Sequence, residues 1–325
     1  MGAVESGGTD ANQDSGREMA GGKPRISVGM PVYNGEPYIE IAIKSILDQT
    51  FGDFELLISD NASTDQTEAI CRDFAASDRR ILYSRNEQNI GAAPNYNRLV
   101  DMASADYFRW SNADDLLAPT LHERCVVVLD ANPDVVLSYG KTKLIDEDGN
   151  DLEDYDDNLD LQDERPSDRF KRFHESVGLT NIIYGLMRTA ALRNTARMGD
   201  GSYPAADTNL MGELALYGKF VEIPECLFYR RIHSAASSGD RSGDRADFDR
   251  QTSFWSAGAV DFSLPVWRKN AAYARAIGRA PIDVGEKSRL GLYMLRRMYS
   301  ARRRLLEEIL LTVGQKTRRL HSGSG

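Results

Sequence analysis

The sequence has few cysteines and no long hydrophobic run, and each absence excludes a class of protein. Its three cysteines, Cys71, Cys125 and Cys226, stand far apart without a CxxC pair, which argues against a zinc knuckle or a disulfide framework. The longest apolar runs, such as 125–129, span only a few residues, whereas a helix across a bilayer needs about 20. The N-terminus also lacks the apolar core of a signal peptide. We therefore expect a cytoplasmic protein with reduced thiols and no transmembrane helix.

An excess of positive charge is also missing from the chain as a whole. The formal net charge is −9, which argues against nucleic acid as a partner. A hydrophobic fraction of 41% is ordinary for a globular protein and excludes a wholly disordered chain. The charge is unevenly spread, because ten Lys or Arg residues stand against two Glu between Lys287 and Arg319. The C-terminal tail is therefore basic and the body before it acidic.

Strands and helices are predicted to alternate after an N-terminal leader. Residues 1–23, rich in Gly, Ser, Asp and Glu, have little to bury and predict a disordered leader. In 36–50, apolar residues recur with the spacing of one helix face, and Ser63 and Gln66 have the spacing of a capping box. The predicted strands are 26–30, 54–59, 80–84, 107–111 and 135–139, and the predicted helices are 36–50, 63–76, 92–103 and 119–131. This order predicts an α/β fold with a mostly parallel sheet and helices on both faces.

The pattern changes after residue 139. The acidic stretch 146–168 predicts a long surface loop, and residues 240–285 have no clear pattern. Further predicted elements are a strand at 181–188, a helix at 207–217, an extended segment at 220–232 and a helical region at 287–319.

Polar clusters follow three of the predicted strands. They are residues 31–36, 60–65 and 112–115. Each alone is typical of a turn or a helix cap. Because ligands of parallel α/β sheets bind beyond the carboxyl ends of the strands, their coincidence on one edge favours a binding site.

The same three segments, PVYN at 31–34, SDNASTD at 59–65 and NADD at 112–115, resemble the ordered signatures of family 2 glycosyltransferases with the GT-A fold. The resemblance covers roughly residues 25–238. It implies a GT-A domain over 24–238 and a mainly helical C-terminal extension over 239–325. It also implies inverting transfer of a sugar from a nucleotide-diphosphate sugar, with a UDP-sugar expected, to a glycan or glycolipid acceptor in polysaccharide or glycoconjugate synthesis.

The resemblance assigns residues to the donor. Tyr33 and Asp60 match positions that hold the nucleoside, the tyrosine against the base and the carboxylate on its polar edge. The other donor-binding residues that it implies are Pro31, Asn34, Asn61, Asn89, Gly91, Asn97, Asn112 and Ala113. The segment 89–97 also fits a loop followed by a helix cap.

A divalent cation, Mg²⁺ or Mn²⁺, is expected at the third segment. A diphosphate leaving group develops negative charge that such a cation offsets, and Asp114 and Asp115 supply the carboxylate oxygens that it prefers. Asn112 stands where the family often has Asp, which lowers the negative charge of the site. His233 lies in a segment resembling a late Arg-x-x-His and would complete the metal site or touch the diphosphate. Arg230 or Arg231 would neutralise phosphate.

Asp207 is the expected general base. Inverting transfer needs one base near the acceptor hydroxyl, and the family usually places an acidic residue at the start of a late helix. Asp207 occupies a comparable place. The alternative is that Asp207 only caps the helix.

The basic tail has two interpretations. Its arginines alternate with Leu and Met, which suits peripheral contact with an anionic membrane at its inner face. The alternative is a helix packed on the acidic body or against a second subunit in a homodimer.

Two other functions are compatible with an α/β nucleotide site. A sugar nucleotidyltransferase usually has a Gly-rich basic loop after its first strand, whereas residues 31–35 contain one Gly and no Lys or Arg. A non-catalytic nucleotide-sugar binding protein would explain Asn112 in the metal segment.

Overall fold

The predicted alternation of strands and helices is confirmed. The computed structural model describes residues 22–199, 205–233, 264–310 and 312. The strands are β1 (Ile26–Val32), β2 (Phe54–Asp60), β3 (Ile81–Arg85), β4 (Tyr107–Trp110), β5 (Leu116–Leu117), β6 (Val135–Ile145), β7 (Asp151–Tyr155), β8 (Leu186–Arg188) and β9 (Lys219–Arg231). The helices are α1 (Ile39–Leu47), α2 (Thr67–Ser77), α3 (Ala92–Met102), α4 (Leu121–Ala131), α5 (Pro166–Ser176), α6 (Thr189–Arg193), α7 (Ala206–Leu214), α8 (Pro265–Arg279) and α9 (Val284–Ser300).

All nine of these strands belong to one sheet, in the order β3-β2-β1-β4-β8-β6-β9-β5, with β7 beside β6. The four strands β3, β2, β1 and β4 are parallel, and so are β6 and β9. The short strand β8 joins the two parallel groups because it is antiparallel to both β4 and β6. The register places Val32 beside Asp60, so the segments after β1 and β2 leave the sheet at the same edge.

Helices cover both faces of this sheet. The apolar stripe of α1 is buried with α4 in one core, which contains Ile39, Ile43 and Leu129. A second core holds the buried faces of α3 and α7, including Leu99 and Leu210. The amphipathic spacing of residues 36–50 therefore predicted the buried face of α1, although the helix itself is shorter.

Three local predictions were wrong. Ser63 does not cap α2, because its hydroxyl accepts the backbone N–H of Asn34 at 2.9 Å and the helix begins at Thr67. Residues 146–168 are not one loop, since they contain β7 and the first turn of α5. Residues 181–188 begin with a 3₁₀ turn at Asn181–Tyr184, so only the three residues of β8 form the predicted strand.

The C-terminal helices pack on the sheet domain through a third core. Tyr273 and Ile277 of α8 and Leu290 and Met294 of α9 meet Phe170 of α5 there. The predicted helical region is confirmed for 287–300 and 302–310. Within the described part of the chain, none of the helices combines the length and the apolarity needed to span a bilayer. The predicted leader up to 21, the boundary at 238 and the tail beyond 312 lie outside the described residues.

Gly185 is required where the chain enters β8 beside β6. A Cβ added to it would lie 2.7 Å from Cδ1 of Leu137 and 2.8 Å from the backbone oxygen of Ser138. We expect Gly185→Ala to lower the free energy of unfolding by about 1–3 kcal/mol, because backbone cannot yield as a side chain can. Urea denaturation measures this. Gly52→Ala, where a Cβ meets nothing within 4 Å, is the control, and equal effects of the two changes would contradict the contact.

Candidate active site

The segments after β1 and β2 are joined by hydrogen bonds. The backbone of Asn34 has a φ of 54°, and its side-chain oxygen accepts the N–H of Thr64 at 2.8 Å. The N–H of Asn34 donates to Ser63, and that of Gly35 donates to the Thr67 hydroxyl at 2.8 Å. Asn34 therefore holds the segments after β1 and β2 together. Its predicted role in donor binding is additional to this structural role.

Tyr33 and Pro31 differ in accessibility. Pro31 is buried and pairs with Ser59 in the sheet, so it supports the site from below. Tyr33 is 51% exposed and leaves a ring face available at the strand end. An exposed aromatic ring beside a strand end suits stacking on a nucleobase, and that role stays a prediction for Tyr33.

Asp60 lies beneath these segments and is 0% exposed. Its carboxylate accepts the Ser63 N–H at 2.8 Å and the Tyr83 hydroxyl at 2.7 Å. The Arg85 guanidinium lies 3.5 Å from the same carboxylate. Contact between Asp60 and a nucleoside therefore requires Tyr83 or Arg85 to move, and this role also stays a prediction.

A network of side-chain amides holds the segment between β3 and α3. Asn61 donates to the side-chain oxygen of Asn89 at 2.8 Å and accepts from Asn86 at 3.1 Å and from the N–H of Ile90 at 3.0 Å. Gly91 precedes α3 with a φ of 85°, which glycine adopts without strain. Asn61, Asn89 and Gly91, predicted together from the family resemblance, are thus one connected unit.

Asn97 belongs to a different contact. Its amide donates to the Gly199 carbonyl at 2.9 Å and accepts the Met198 N–H at 3.0 Å. It therefore connects α3 to the segment after α6, and donor binding by Asn97 stays a prediction.

The metal segment, residues 112–115, meets the β1 edge directly. The Ser111 N–H just before it donates to the Gly29 carbonyl of β1 at 2.9 Å. A Cβ built on Gly35 would lie 3.3 Å from that of Ala113. The polar segments after β1 and β4 therefore converge, as the sequence predicted.

Asn112 is held by three side chains. It donates to the Tyr184 hydroxyl at 2.6 Å and to Asp115 at 3.1 Å, and it accepts the Tyr96 hydroxyl at 2.9 Å. Tyr184 and Asp115 both accept from the NH₂ group of Asn112. The ionised Asp that the family often has at this position has no hydrogen to donate to them.

Asp115 points inward and is 2% exposed. One oxygen accepts the Arg231 N–H at 2.9 Å and the other accepts from Asn112. Burial is the main cause that raises the pKa of Asp115 to about 7, and the charge of Asp114 acts in the same direction, against the opposing charge of Arg230. Asp115 therefore supports the segment from inside.

Asp114 is the accessible aspartate of the metal segment, and His233, just beyond the end of β9, contacts it. His233 Nε2 lies 3.1 Å from the Asp114 carboxylate, whose side chain is 30% exposed. Both atoms are metal ligands by chemistry, so a cation between them would replace the hydrogen bond. Across residues 22–199, 205–233 and 264–310, however, no three His, Cys, Asp or Glu side chains are grouped closely enough to hold a metal ion. The pair would thus need oxygens of the substrate or water as further ligands.

Arg231 has a structural role. It is 3% exposed, and its guanidinium donates to the carbonyls of Asp114, Asp146 and Glu147. The same group lies 4.7 Å from the centre of the Tyr38 ring. Arg231 therefore anchors the metal segment to its surroundings.

Arg230 is the cation that faces the site. It donates to the Leu179 carbonyl and to the Asn181 side chain. Burial raises the pKa values of three carboxyl groups around it, and its charge lowers all three. These carboxyl groups are Asp115, Asp157 and Asp207. Of the two arginines considered for phosphate, Arg230 is therefore the one placed among the candidate groups.

Asp207 lies in the first turn of α7, after Ala205 at a φ of 67°. Its carboxylate accepts the N–H of the next residue, Thr208, at 2.7 Å. Burial raises the pKa of Asp207, while Thr208, Lys269 and Arg230 lower it. The N-cap residue is Ala205, but the Asp207 carboxylate satisfies an N–H of the first helical turn, so the capping role stays an alternative to the role as base.

The turn before β8 approaches the start of α7. The Thr208 hydroxyl is 3.4 Å from that of Thr180, which precedes the Asn181 that binds Arg230. This contact brings the arginine and the candidate base to neighbouring positions.

Tyr96 is a site residue that was not found from the sequence, and Tyr184 was expected only as an aromatic wall on the acceptor side. Tyr96 and Tyr184 hold Asn112 by hydrogen bonds. Burial raises the pKa of Tyr96, and the charges of both aspartates of the metal segment and of Asp207 raise it further. Tyr184 ends the 3₁₀ turn that begins at Asn181, the residue that binds Arg230, so this turn connects the metal segment to Arg230. Residues of mixed polarity inside helices and turns carry no signal of this kind in one sequence.

Comparison with known proteins agrees with this architecture. The structure is similar to that of S. aureus TarS in complex with UDP, with a TM-score of 0.60 and 17% identity over 85% of this chain and 72% of the other. This likeness, together with the parallel strands and their polar carboxyl ends, defines the class as a GT-A fold. Residues 27–188 match the model of Glycosyl transferase family 2. The chain belongs to this family.

Curated relatives are similar over part of the chain. An uncharacterized glycosyltransferase, MJ1057, of Methanocaldococcus jannaschii is 33% identical over 135 residues, which are 41% of this chain and 47% of the relative. An uncharacterized glycosyltransferase of Haemophilus influenzae is 25% identical over 225 residues, which are 66% of this chain and 68% of the relative. The chain thus spans about half the length of the first relative and about two thirds of the second. The family match ends within β8, so Asp207, Arg230 and His233 lie beyond it.

Asp157 makes the stability of the protein depend on pH. It is buried, accepts the Asn181 N–H at 3.1 Å, and burial raises its pKa from 3.8 to about 7. Its contribution to stability is fully present below about pH 4 and is lost as the pH rises through about 7. We expect Asp157→Asn to reduce the loss of unfolding free energy between about pH 5 and about pH 8, by an amount on the order of 1–4 kcal/mol.

Urea denaturation at the two pH values measures this effect. Asp154→Asn, whose side chain is 85% exposed, is the control and is expected to leave the difference unchanged. An unchanged difference in Asp157→Asn as well would contradict the burial of this charge.

Proposed function

We propose that this chain is an inverting glycosyltransferase that moves a sugar from a nucleotide-diphosphate sugar to a hydroxyl of a glycan or lipid-linked acceptor. The carrying observation is that the 3₁₀ turn Asn181–Tyr184 connects the candidate groups: Tyr184 binds Asn112 of the metal segment, Asn181 binds Arg230, and the preceding Thr180 contacts Thr208 beside Asp207. An acid–base group, a cation and candidate metal ligands are the groups that this transfer needs.

Asp207 would act as the general base. The acceptor hydroxyl would give its proton to this carboxylate while its oxygen forms the bond to the anomeric carbon. The bond between that carbon and the diphosphate oxygen would break, with the electron pair leaving on the diphosphate. A pKa raised by burial strengthens Asp207 as a base, which supports this assignment.

The donor would lie along the edge formed by β1, β2 and the metal segment. S. aureus TarS has been solved with UDP and with UDP-GlcNAc. Those complexes support a UDP-sugar as the donor, and the exposed ring of Tyr33 supports binding through its base. Arg230 would offset phosphate charge.

Asp114 and His233 would hold a divalent cation, Mg²⁺ or Mn²⁺, together with diphosphate oxygens. The Asp114 carboxylate and the His233 imidazole already lie 3.1 Å apart. Asp115 would hold the segment in place through its hydrogen bond to the Arg231 N–H. Such a cation, when bound, offsets the charge on the leaving diphosphate.

A lipid-linked acceptor would bring the protein to a membrane surface. Exposed apolar side chains on α9, Leu292, Leu295 and Tyr299, stand near exposed Arg296 and support peripheral contact with anionic lipid. The same surface would serve a homodimer.

Asp207→Asn tests the base. We expect kcat for sugar transfer to fall at least about 100-fold, because an amide cannot accept the proton, while the affinity for the nucleoside diphosphate changes little. Nucleoside-diphosphate release from a panel of nucleotide sugars measures turnover. Asp168→Asn, also in the first turn of a helix, is the matched control. Turnover close to that of the unchanged protein would sink the assignment.

Asp114→Asn tests the cation. We expect chelation with EDTA to stop transfer and added Mn²⁺ or Mg²⁺ to restore it, with about 10-fold or more cation needed by the variant. Asp148→Asn, in an exposed turn, is the control. Full activity in EDTA would contradict a metal-dependent reaction. Release of pyrophosphate would instead indicate a nucleotidyltransferase, and binding without turnover a nucleotide-sugar binding protein.

A further inference from the structure

The helix α8 brings a lysine to the candidate base. The Asn209 side chain donates to the Lys269 carbonyl at 3.2 Å, and the Tyr273 hydroxyl donates to the Thr208 carbonyl at 3.3 Å. Lys269 and Tyr273 are four residues apart and so share one helix face. That face therefore lies on the first turn of α7, where Asp207 is. Residues 265–279 had no clear pattern in the sequence, and they lie beyond the family match.

Two arginines converge on the same place. Arg297 and Arg304 are seven residues apart along α9 and its continuation at 302–310. The Trp267 indole donates to the Leu305 carbonyl at 3.0 Å, which fixes the residue after Arg304 against the start of α8. This contact places Arg304 near the first turns of α8, which contain Lys269. In agreement with that placement, burial lowers the pKa of Lys269 and the charges of Arg297 and Arg304 lower it further.

A chain of aromatic contacts connects Arg297 to the same face of α8. The Arg297 guanidinium lies 5.8 Å from the centre of the Tyr293 ring, and the centre of that ring is 6.2 Å from that of His174. The His174 ring in turn lies 4.4 Å from the ring of Tyr273. Burial lowers the pKa of His174 to about 3, and the charges of Arg297 and Lys269 act in the same direction. The packing of α5, α8 and α9 therefore brings Arg297 and Lys269 within electrostatic range of His174.

No protein carboxylate pairs with these cations in the described residues. Lys269, Arg297 and Arg304 make no ion pair there, and Asp207 is the carboxylate whose charge acts on the pKa of Lys269. Glu308 is nearby in sequence, but its carboxylate accepts the N–H groups of the first turn of α8. Among the described residues, three positive charges thus face a single nearby carboxylate, Asp207, although the net charge of the chain is −9.

We propose that Lys269, Arg297 and Arg304 form a subsite that binds a phosphate or carboxylate group of the acceptor next to Asp207. This inference rests on the proposed transferase function. Mutual repulsion of the three cations is relieved when an anion binds among them, and ammonium and guanidinium groups are strong donors to phosphate. Because the subsite adjoins the candidate base, the anion that it holds is on the acceptor.

Inorganic phosphate is the first probe, since its binding needs no turnover. Calorimetric titration of the full chain should show binding that Lys269→Met and Arg304→Gln each weaken about 10-fold. Arg303→Gln, an exposed neighbour of Arg304, is the matched control and should leave binding unchanged. Circular dichroism confirms folding of each variant. Absence of phosphate binding, or equal binding by Lys269→Met, would overturn the subsite.

Acceptors that differ only in their anionic group show whether the subsite binds a phosphate or a carboxylate of the acceptor. Glucose, glucose 6-phosphate and glucuronic acid are compared as acceptors, with nucleoside-diphosphate release as the readout. The unchanged protein should prefer the anionic sugars in kcat/KM by about 10-fold, and Lys269→Met should remove the preference while its UDP affinity stays the same. Weaker UDP binding in Lys269→Met would assign the cations to the donor diphosphate and overturn the proposal. Phosphate binding without turnover of any nucleotide sugar would refute the transferase function and leave the anion site standing.

Discussion

Arg231 joins parts of the site that are far apart in the sequence. Its guanidinium binds the carbonyls of Asp114 and Asp146 and lies on the ring of Tyr38, while its backbone N–H holds Asp115. The metal segment, the turn after β6 and the start of α1 are thereby fixed to the end of β9. Because the Arg231 guanidinium is committed to backbone carbonyls and a ring, its neighbour Arg230 is the arginine proposed to bind phosphate. The orientation of Asp114 toward His233 depends on the same contacts of Arg231.

The site has two halves that come from different parts of the chain. The half proposed for the donor is built from the segments after β1, β2 and β4, all within the family match. The half proposed for the acceptor is built from α7, β9 and the C-terminal helices, which follow it. Arg230 stands between them, since it binds Asn181 in the turn that reaches Asn112 through Tyr184 and α7 through Thr180. The family match therefore covers the first half and not the second.

Much of the donor half was predictable because it depends on local rules. Strands with apolar runs and helices with one apolar face identify a parallel sheet, and polar residues at the strand ends then share an edge. The close approach of Gly35 to Ala113 confirms that convergence. The choice between Arg230 and Arg231 was not predictable, because neighbours on a strand point to opposite faces and only packing decides which face is inside. Lys269 was missed because its position is set by the long-range packing of α8 on α7, which a single sequence does not show.

The amide network around Asn61 has a consequence for how the two halves respond to their surroundings. Asn61 and Asn89 hold the segment before α3 with groups that neither gain nor lose protons at physiological pH. The acceptor half instead depends on Asp157, Asp207 and Lys269, whose pKa values are displaced by burial. A change in acidity would therefore leave the nucleoside side of the donor edge intact and act where the sugar is transferred. Under the proposed function, acidity would therefore act on the transfer step and on the segment that holds Asp115, and not on the segment that the amides hold.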